Sequence, residues 1–147
     1  MSRLDDVLLF LGRLSFACLF VPDGLAKIEN FARFASGLGN RGLPYPEVWA
    51  ALAIIAEIGG PILLVLGLQL RVGILLLIGF CVVATALSHR YWELGDVAER
   101  RTQVLSFYKN LALCGGLLFL WVSGPGNLSL ERRFAASPKR RMFGPAE

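Results

Sequence analysis

The stretch that most constrains this chain is VWAALAIIAEIGGPILLVLGL, from Val48 to Leu68, which carries one charge, Glu57, near its middle. A helix rises about 1.5 Å per residue, so a run of about 20 apolar residues spans a ~30 Å hydrocarbon core. An ionisable group at mid-membrane costs roughly 2.5–3.5 kcal/mol on insertion, and each Leu, Ile or Val returns only ~0.3–0.6. The neighbours of Glu57 can carry that cost, but the carboxylate must face protein or water. Helical spacing sets Ala50, Ala53, Glu57, Gly60, Leu64 and Gly67 on one side. These are mostly small residues, which let another helix approach closely. Glu57 is therefore expected in a packing seam, with a partner supplied by another helix.

The rest of the chain repeats the pattern. A hydrophobic fraction of 55% and a mean hydropathy of +0.58 over 147 residues leave room for one domain of apolar blocks. Four blocks, at about 6–28, 48–68, 71–91 and 102–123, predict an all-α integral membrane protein, an antiparallel four-helix bundle over 1–130, followed by a basic mobile tail at 131–147. The net charge of +4 is modest. Arg132, Arg133, Lys139, Arg140 and Arg141 read as a juxtamembrane basic tail and not as a nucleic-acid surface. Cys18, Cys81 and Cys114 fall in three different blocks, with no C-x-x-C and no zinc spacing, and are expected to be separate buried thiols.

Block one starts like a signal peptide, but Asp5 and Asp6 spoil its charged region and Arg13 interrupts its apolar run, so it reads as a retained span. Pro22, Asp23 and Gly24 predict a kink or break near its end, with an Asp23–Lys27 pair if the helix resumes. Residues 29–46, rich in Gly and Pro, form a connector in which Phe31, Phe34, Leu38 and Leu43 can lie along the membrane surface. Gln69-Leu70-Arg71 is a turn short enough to make blocks two and three antiparallel neighbours. Residues 93–101 read as a charged, solvated connector. The loops on the side of the termini hold Arg3, Arg71, Arg132, Arg133, Lys139, Arg140 and Arg141. Those on the other side hold Arg33, Arg41, Arg90, Arg100 and Arg101. This bias places both termini in the cytoplasm.

Depth along each helix gives an expected site. Counted from the non-cytoplasmic end, Glu57 lies ~15 Å down, Arg13 ~20 Å and Lys109 ~10 Å, with Lys27 and His89 near the surface. Arg13 or Lys109 is the expected counter-charge of Glu57. Lys27 at the end of helix one is expected to snorkel outward, and His89 to exchange protons near the interface. Asn110 lies on the polar face of block four beside Gln103, Ser106, Lys109 and Cys114. The polar cluster Arg13, Lys27, Glu57, His89, Lys109 and Asn110 can be read as a register-setting network or as a small-molecule or proton site. His89 is the sole histidine, which excludes a multi-histidine metal site within one chain.

Several short stretches together resemble the DoxX family of small four-helix bacterial membrane proteins. They are Gly12-Arg13, Gly24-Leu25-Ala26-Lys27, Glu57-Ile58-Gly59-Gly60, Gly67 with Arg71, Ala84-Thr85 through His89-Arg90-Tyr91-Trp92, Lys109-Asn110-Leu111-Ala112-Leu113, Gly115-Gly116, and Gly124-Pro125-Gly126-Asn127-Leu128-Ser129-Leu130. The resemblance implies a bacterial plasma (inner) membrane location. It also implies an association with membrane redox systems, since members of the family are linked to a thiosulfate:quinone oxidoreductase subunit and to complexes that handle oxidative stress and thiols. The chain departs from a thiol-active pattern in having no cysteine pair, which argues against direct disulfide chemistry. It also lacks a haem ligand pair and any flavin or nucleotide fingerprint.

No complete catalytic or cofactor motif is present, so an accessory role is expected rather than a catalytic one. That role is to bind a quinone or small anionic molecule, or a partner in a membrane redox complex, in a polar intramembrane cavity. A small homo-oligomeric transporter or channel subunit and a structural membrane scaffold are the alternatives. The cytoplasmic half is almost purely apolar, through Leu4, Val7, Leu8, Leu9, Phe10 and Leu11 in block one and through Ile62–Leu66, Ile74–Ile78 and Leu117–Trp121 in the others. Any cavity is therefore expected in the other half, opening outward or laterally, and meeting an anionic or carbonyl-bearing head group with positive charge.

Overall fold

A computed structural model describes residues 2–88 and 90–135, and all regular structure in it is helical. Helix α1 (Arg3–Glu29) starts at a capping box. The Ser2 hydroxyl accepts from the Asp5 N–H at 3.2 Å, and the Asp5 carboxylate accepts from the Ser2 N–H at 2.7 Å. The helix runs through Pro22 to Glu29, so the expected break does not occur. Packed residues flank the proline, Phe20 in the core and Gly24 against Ile58, and they hold the chain helical on both sides of the missing hydrogen bond.

The connector contains a helix of its own, α2 (Phe31–Gly39), whose Ala35 and Leu38 pack on Ala50. The run Pro46–Leu66 is one continuous helix in three parts: α3 (Pro46–Ile54), a π-helical turn (Ile55–Gly59) and α4 (Gly60–Leu66). The wide turn lies just ahead of Pro61. A proline ring clashes with the carbonyl four residues back, here that of Glu57, and a π-turn removes the clash. The face read from the sequence is the buried one, with Ala50, Glu57, Gly60, Leu64 and Gly67 all buried. Gly67 ends α4 in the left-handed region, φ +62°.

Helix α5 (Leu70–Ser88) follows, then a 3-10 turn (Tyr91–Glu93), α6 (Val97–Ser123) and α7 (Leu130–Ala135). The Asp96 carboxylate accepts from the Glu99 N–H at 2.8 Å and starts α6 inside what the sequence presented as a solvated connector. The stretch after α6 is docked, not free, up to the start of α7. Asp6 accepts from the Asn127 backbone N–H at 2.8 Å and from its side-chain amide at 2.9 Å, and Ser129 is buried. The basic residues from Lys139 to Arg141 lie outside the described residues.

Pro46–Leu66, the segment of α5 extended to Glu93, and α6 are long and apolar enough to cross a membrane. Helix α1 matches α6 in length, at 27 residues, and carries Arg13 within its apolar run. Phe20 of α1, Leu64 of α4, Ile74, Leu77 and Cys81 of α5, and Leu117 and Leu120 of α6 form one core cluster. Between α5 and α6 the Asn110 side-chain amide donates to the Thr85 hydroxyl at 2.9 Å. Cys81 and Cys114, expected to be separate, share one core cluster, with Cys81 inside it and Cys114 packed against it.

Candidate functional site

A cleft of about 460 Å³ opens between the end of α1, α2, α3 and the second half of α5. Its walls are aliphatic and aromatic: Phe34, Leu38, Trp49, Leu52, Leu76, Phe80, Val83 and Leu87 are among the lining residues. Four charged side chains also line it, Asp23 and Lys27 from α1, Glu57 from the π-turn and Lys109 from α6. A concave, mostly apolar site with a few converging polar groups is the usual form of a small-molecule pocket.

Lys27 and Glu57 form its centre. The Lys27 ammonium donates to both Glu57 carboxylate oxygens, each at 2.6 Å, while the side chains are 19% and 1% exposed. The ammonium also lies 5.4 Å from the ring centroids of Phe34 and Phe80. Two backbone features build this contact. A Cβ on Gly24 would come within 2.9 Å of Ile58 and 3.2 Å of the Glu57 Cβ, so only glycine allows α1 to approach the π-turn this closely. Lys27, three residues on, then reaches the carboxylate.

The partner of Glu57 is thus Lys27, and not Arg13 or Lys109. Lys27 does not snorkel, because α2 covers the end of α1 and turns the side chain inward. Asp23 makes no salt bridge to Lys27, although the helix between them is unbroken. Arg13 serves another part of the molecule. It is completely buried, and it donates to the carbonyls of Leu64 at 3.2 Å, Val65 at 3.4 Å and Leu128 at 2.5 Å. Phe10 lies 5.5 Å away under its guanidinium, and its Nε is buried without a partner among the described residues. Arg13 therefore ties the end of α4 and the loop after α6 to α1, on the side away from the cleft. The half expected to be almost purely apolar contains this buried cation, whose terminal nitrogens are held by carbonyl oxygens.

Lys109 is on the cleft wall, exposed, and among the described residues no carboxylate pairs with it. Asn110 points the other way, into the α5–α6 seam toward Thr85. His89 lies outside the described residues. Of the six residues read from the sequence, the cleft gathers Lys27, Glu57 and Lys109. Sequence reasoning missed Asp23 as a lining group, along with the aromatic pair Phe34 and Phe80. Asp23 had a visible signal, its position one turn before Lys27; Phe80 had none, since it comes from a helix more than fifty residues away. Among the described residues no group of three or more His, Cys, Asp or Glu could hold a metal ion.

At the opposite end, a shallow groove of about 430 Å³ runs between α1 and α6. Its lining is largely apolar, with Leu8, Leu9, Phe16, Phe119 and Leu120, and it contains no cation. The polar cleft is confined to the half away from Arg71.

The sequence comparisons bear on this arrangement. The DoxX family model matches residues 8–90. The chain is 31% identical over 128 residues to the inner membrane protein YphA of Escherichia coli (strain K12), covering 86% of this chain and 90% of that one. It is 30% identical over 135 residues to the inner membrane protein YqjF of the same organism, covering 90% and 95%. No solved structure matches.

Proposed function

The chain belongs to the DoxX family, and from that premise we propose that it is a four-span inner-membrane protein that holds a small amphiphile of the quinone type in the Lys27–Glu57 cleft. It acts there as an accessory subunit of a membrane redox system. The observation that carries this reading is the cleft itself: about 460 Å³ of mostly apolar space with four charged groups in its wall.

The charges narrow the head group. Glu57 neutralises Lys27, and Asp23 offsets Lys109, so the lining carries no net positive charge. An anion would gain from Lys109 and lose to the two carboxylates. An uncharged carbonyl can accept a hydrogen bond from Lys109 without that penalty, and its ring and tail suit Phe80, Val83 and Leu87. Helix α1 counts as the fourth span because the two terminal nitrogens of Arg13 donate to carbonyl oxygens, which lowers the cost of its burial. Four spans return the chain to the side it started from. The arginine and lysine bias makes that side the cytoplasm, and the cleft then opens in the outer half. A cysteine placed at Glu99, in a chain with its native cysteines replaced by serine, should react with impermeant maleimide in whole cells; labelling only after lysis would reverse the orientation.

Binding has its own test. Gly79 lines the cleft, and a Cβ there meets nothing within 4 Å. Gly79→Leu should fill the space without disturbing the fold. Purified protein titrated with a short-chain ubiquinone should show quenching of tryptophan fluorescence, and Gly79→Leu should weaken it at least ~10-fold, the loss of about 1.4 kcal/mol, with an unchanged melting temperature. Equal binding by both proteins would refute the site.

A further inference from the structure

We infer that Cys81 and Cys114 form an oxidisable dithiol that closes to a disulfide between α5 and α6. The inference does not rest on the proposed function. Two observations carry it. Cys81 lies in the buried core cluster between the helices, and Cys114 packs against that cluster. Independently, the Asn110–Thr85 hydrogen bond at 2.9 Å fixes the register of α5 against α6. Cys81 is four residues before Thr85 and Cys114 four residues after Asn110. In oppositely directed helices this places the two cysteines opposite each other one turn further along.

The two cysteines differ in access. Cys81 is fully buried, whereas Cys114 is half-buried on a helix whose neighbouring Leu111 and Leu118 are exposed on the outer surface of the protein. An oxidant that reaches Cys114 must be soluble in an apolar medium, so an organic hydroperoxide is the fitting class. The Cys114 sulfur attacks the terminal oxygen of the hydroperoxide and the O–O bond breaks. The thiol proton leaves with the alkoxide as an alcohol, and a sulfenic acid remains on Cys114. The Cys81 sulfur then attacks the Cys114 sulfur and the S–O bond breaks. The hydroxide takes the Cys81 proton and departs as water. The hydroperoxide gains two electrons, one from each sulfur. The product joins the helix that carries Phe80 and Val83 to the helix that carries Lys109, so it locks two walls of the cleft together. Burial of Cys81 keeps the reaction slow and protects the product from water-soluble thiols.

The experiment uses the full chain in mild detergent, treated with cumene hydroperoxide. Free thiols are then alkylated with N-ethylmaleimide in denaturant, so that buried thiols react as well, and the protein is digested and analysed by mass spectrometry without reduction. The expected result is a linked peptide pair joining Cys81 to Cys114, with Cys18 still alkylated. Cys18→Ser should keep the link. Cys114→Ser should abolish it and leave Cys81 alkylated, at an unchanged melting temperature. Full alkylation of Cys81 and Cys114 at an oxidant dose that oxidises a glutathione control would overturn the inference. So would Cys114 progressing to sulfinic acid with no link, since that would show that Cys81 cannot reach it.

Discussion

Removing the Glu57 carboxylate should destabilise the protein more than any other single truncation in the cleft. In Glu57→Ala the Lys27 ammonium stays enclosed between Phe34 and Phe80 and loses both of its 2.6 Å acceptors. Breaking a buried pair in this way costs about 3–5 kcal/mol, most of it from the charge left behind. At ~2–4 °C per kcal/mol for a chain of this size, the melting temperature should fall by roughly 10 °C. Glu57→Gln should cost less, because its amide oxygen still accepts one hydrogen bond from Lys27. The decisive variant is the double one. Lys27→Met with Glu57→Leu removes both charges and keeps the volume, so it should be more stable than Glu57→Ala and close to the parent. Thermal unfolding in mild detergent, followed by near-ultraviolet circular dichroism, measures all four. An unchanged melting temperature for Glu57→Ala, or a double variant less stable than Glu57→Ala, would refute the pairing.

Two other outcomes follow from the opposite end of the molecule. At Gly67 a Cβ would come within 2.5 Å of both the Arg13 Nη1 and the Ser129 Cβ, and the backbone there is left-handed, so Gly67→Ala should cost about 2–4 kcal/mol in the same melt. Asp6→Ala removes the acceptor of both Asn127 hydrogen bonds and frees the loop after α6, so trypsin should cut after Arg132 or Arg133 severalfold faster, while the cleft keeps its ligand affinity.

Much of the helical layout was legible before any coordinates. Apolar block length marks helices without reference to partners, and the buried face of Pro46–Leu66 follows from the period of its small residues. Element ends were less legible. Pro22 is a strong breaker in an isolated helix, yet packing at Phe20 and Gly24 overrides it. The π-turn could have been anticipated from Gly59-Gly60-Pro61, since a proline inside a long helix must displace a carbonyl somewhere upstream. The capping role of Asp96 was visible as an N-cap residue type but was masked by the charges around it.

The sequence by itself determined that Glu57 is buried in a helix seam and that a cation must answer it, because an unpaired carboxylate in that setting is too costly to keep. It indicated the half of the molecule that holds the polar cleft, because polar residues cluster there. Only the tertiary structure decided which cation pairs. Rise per residue gives each group a height along the bundle, but it does not say whether a long, flexible lysine turns inward or outward. For Lys27 that choice is made by the close approach of α1 at Gly24 and by the Phe34 ring that α2 lays over it. Arg13 was settled in the same way. Its acceptors are carbonyls left open where α4 ends and where the chain leaves α6, and no local pattern around residue 13 records groups that are brought to it from 51, 52 and 115 residues away.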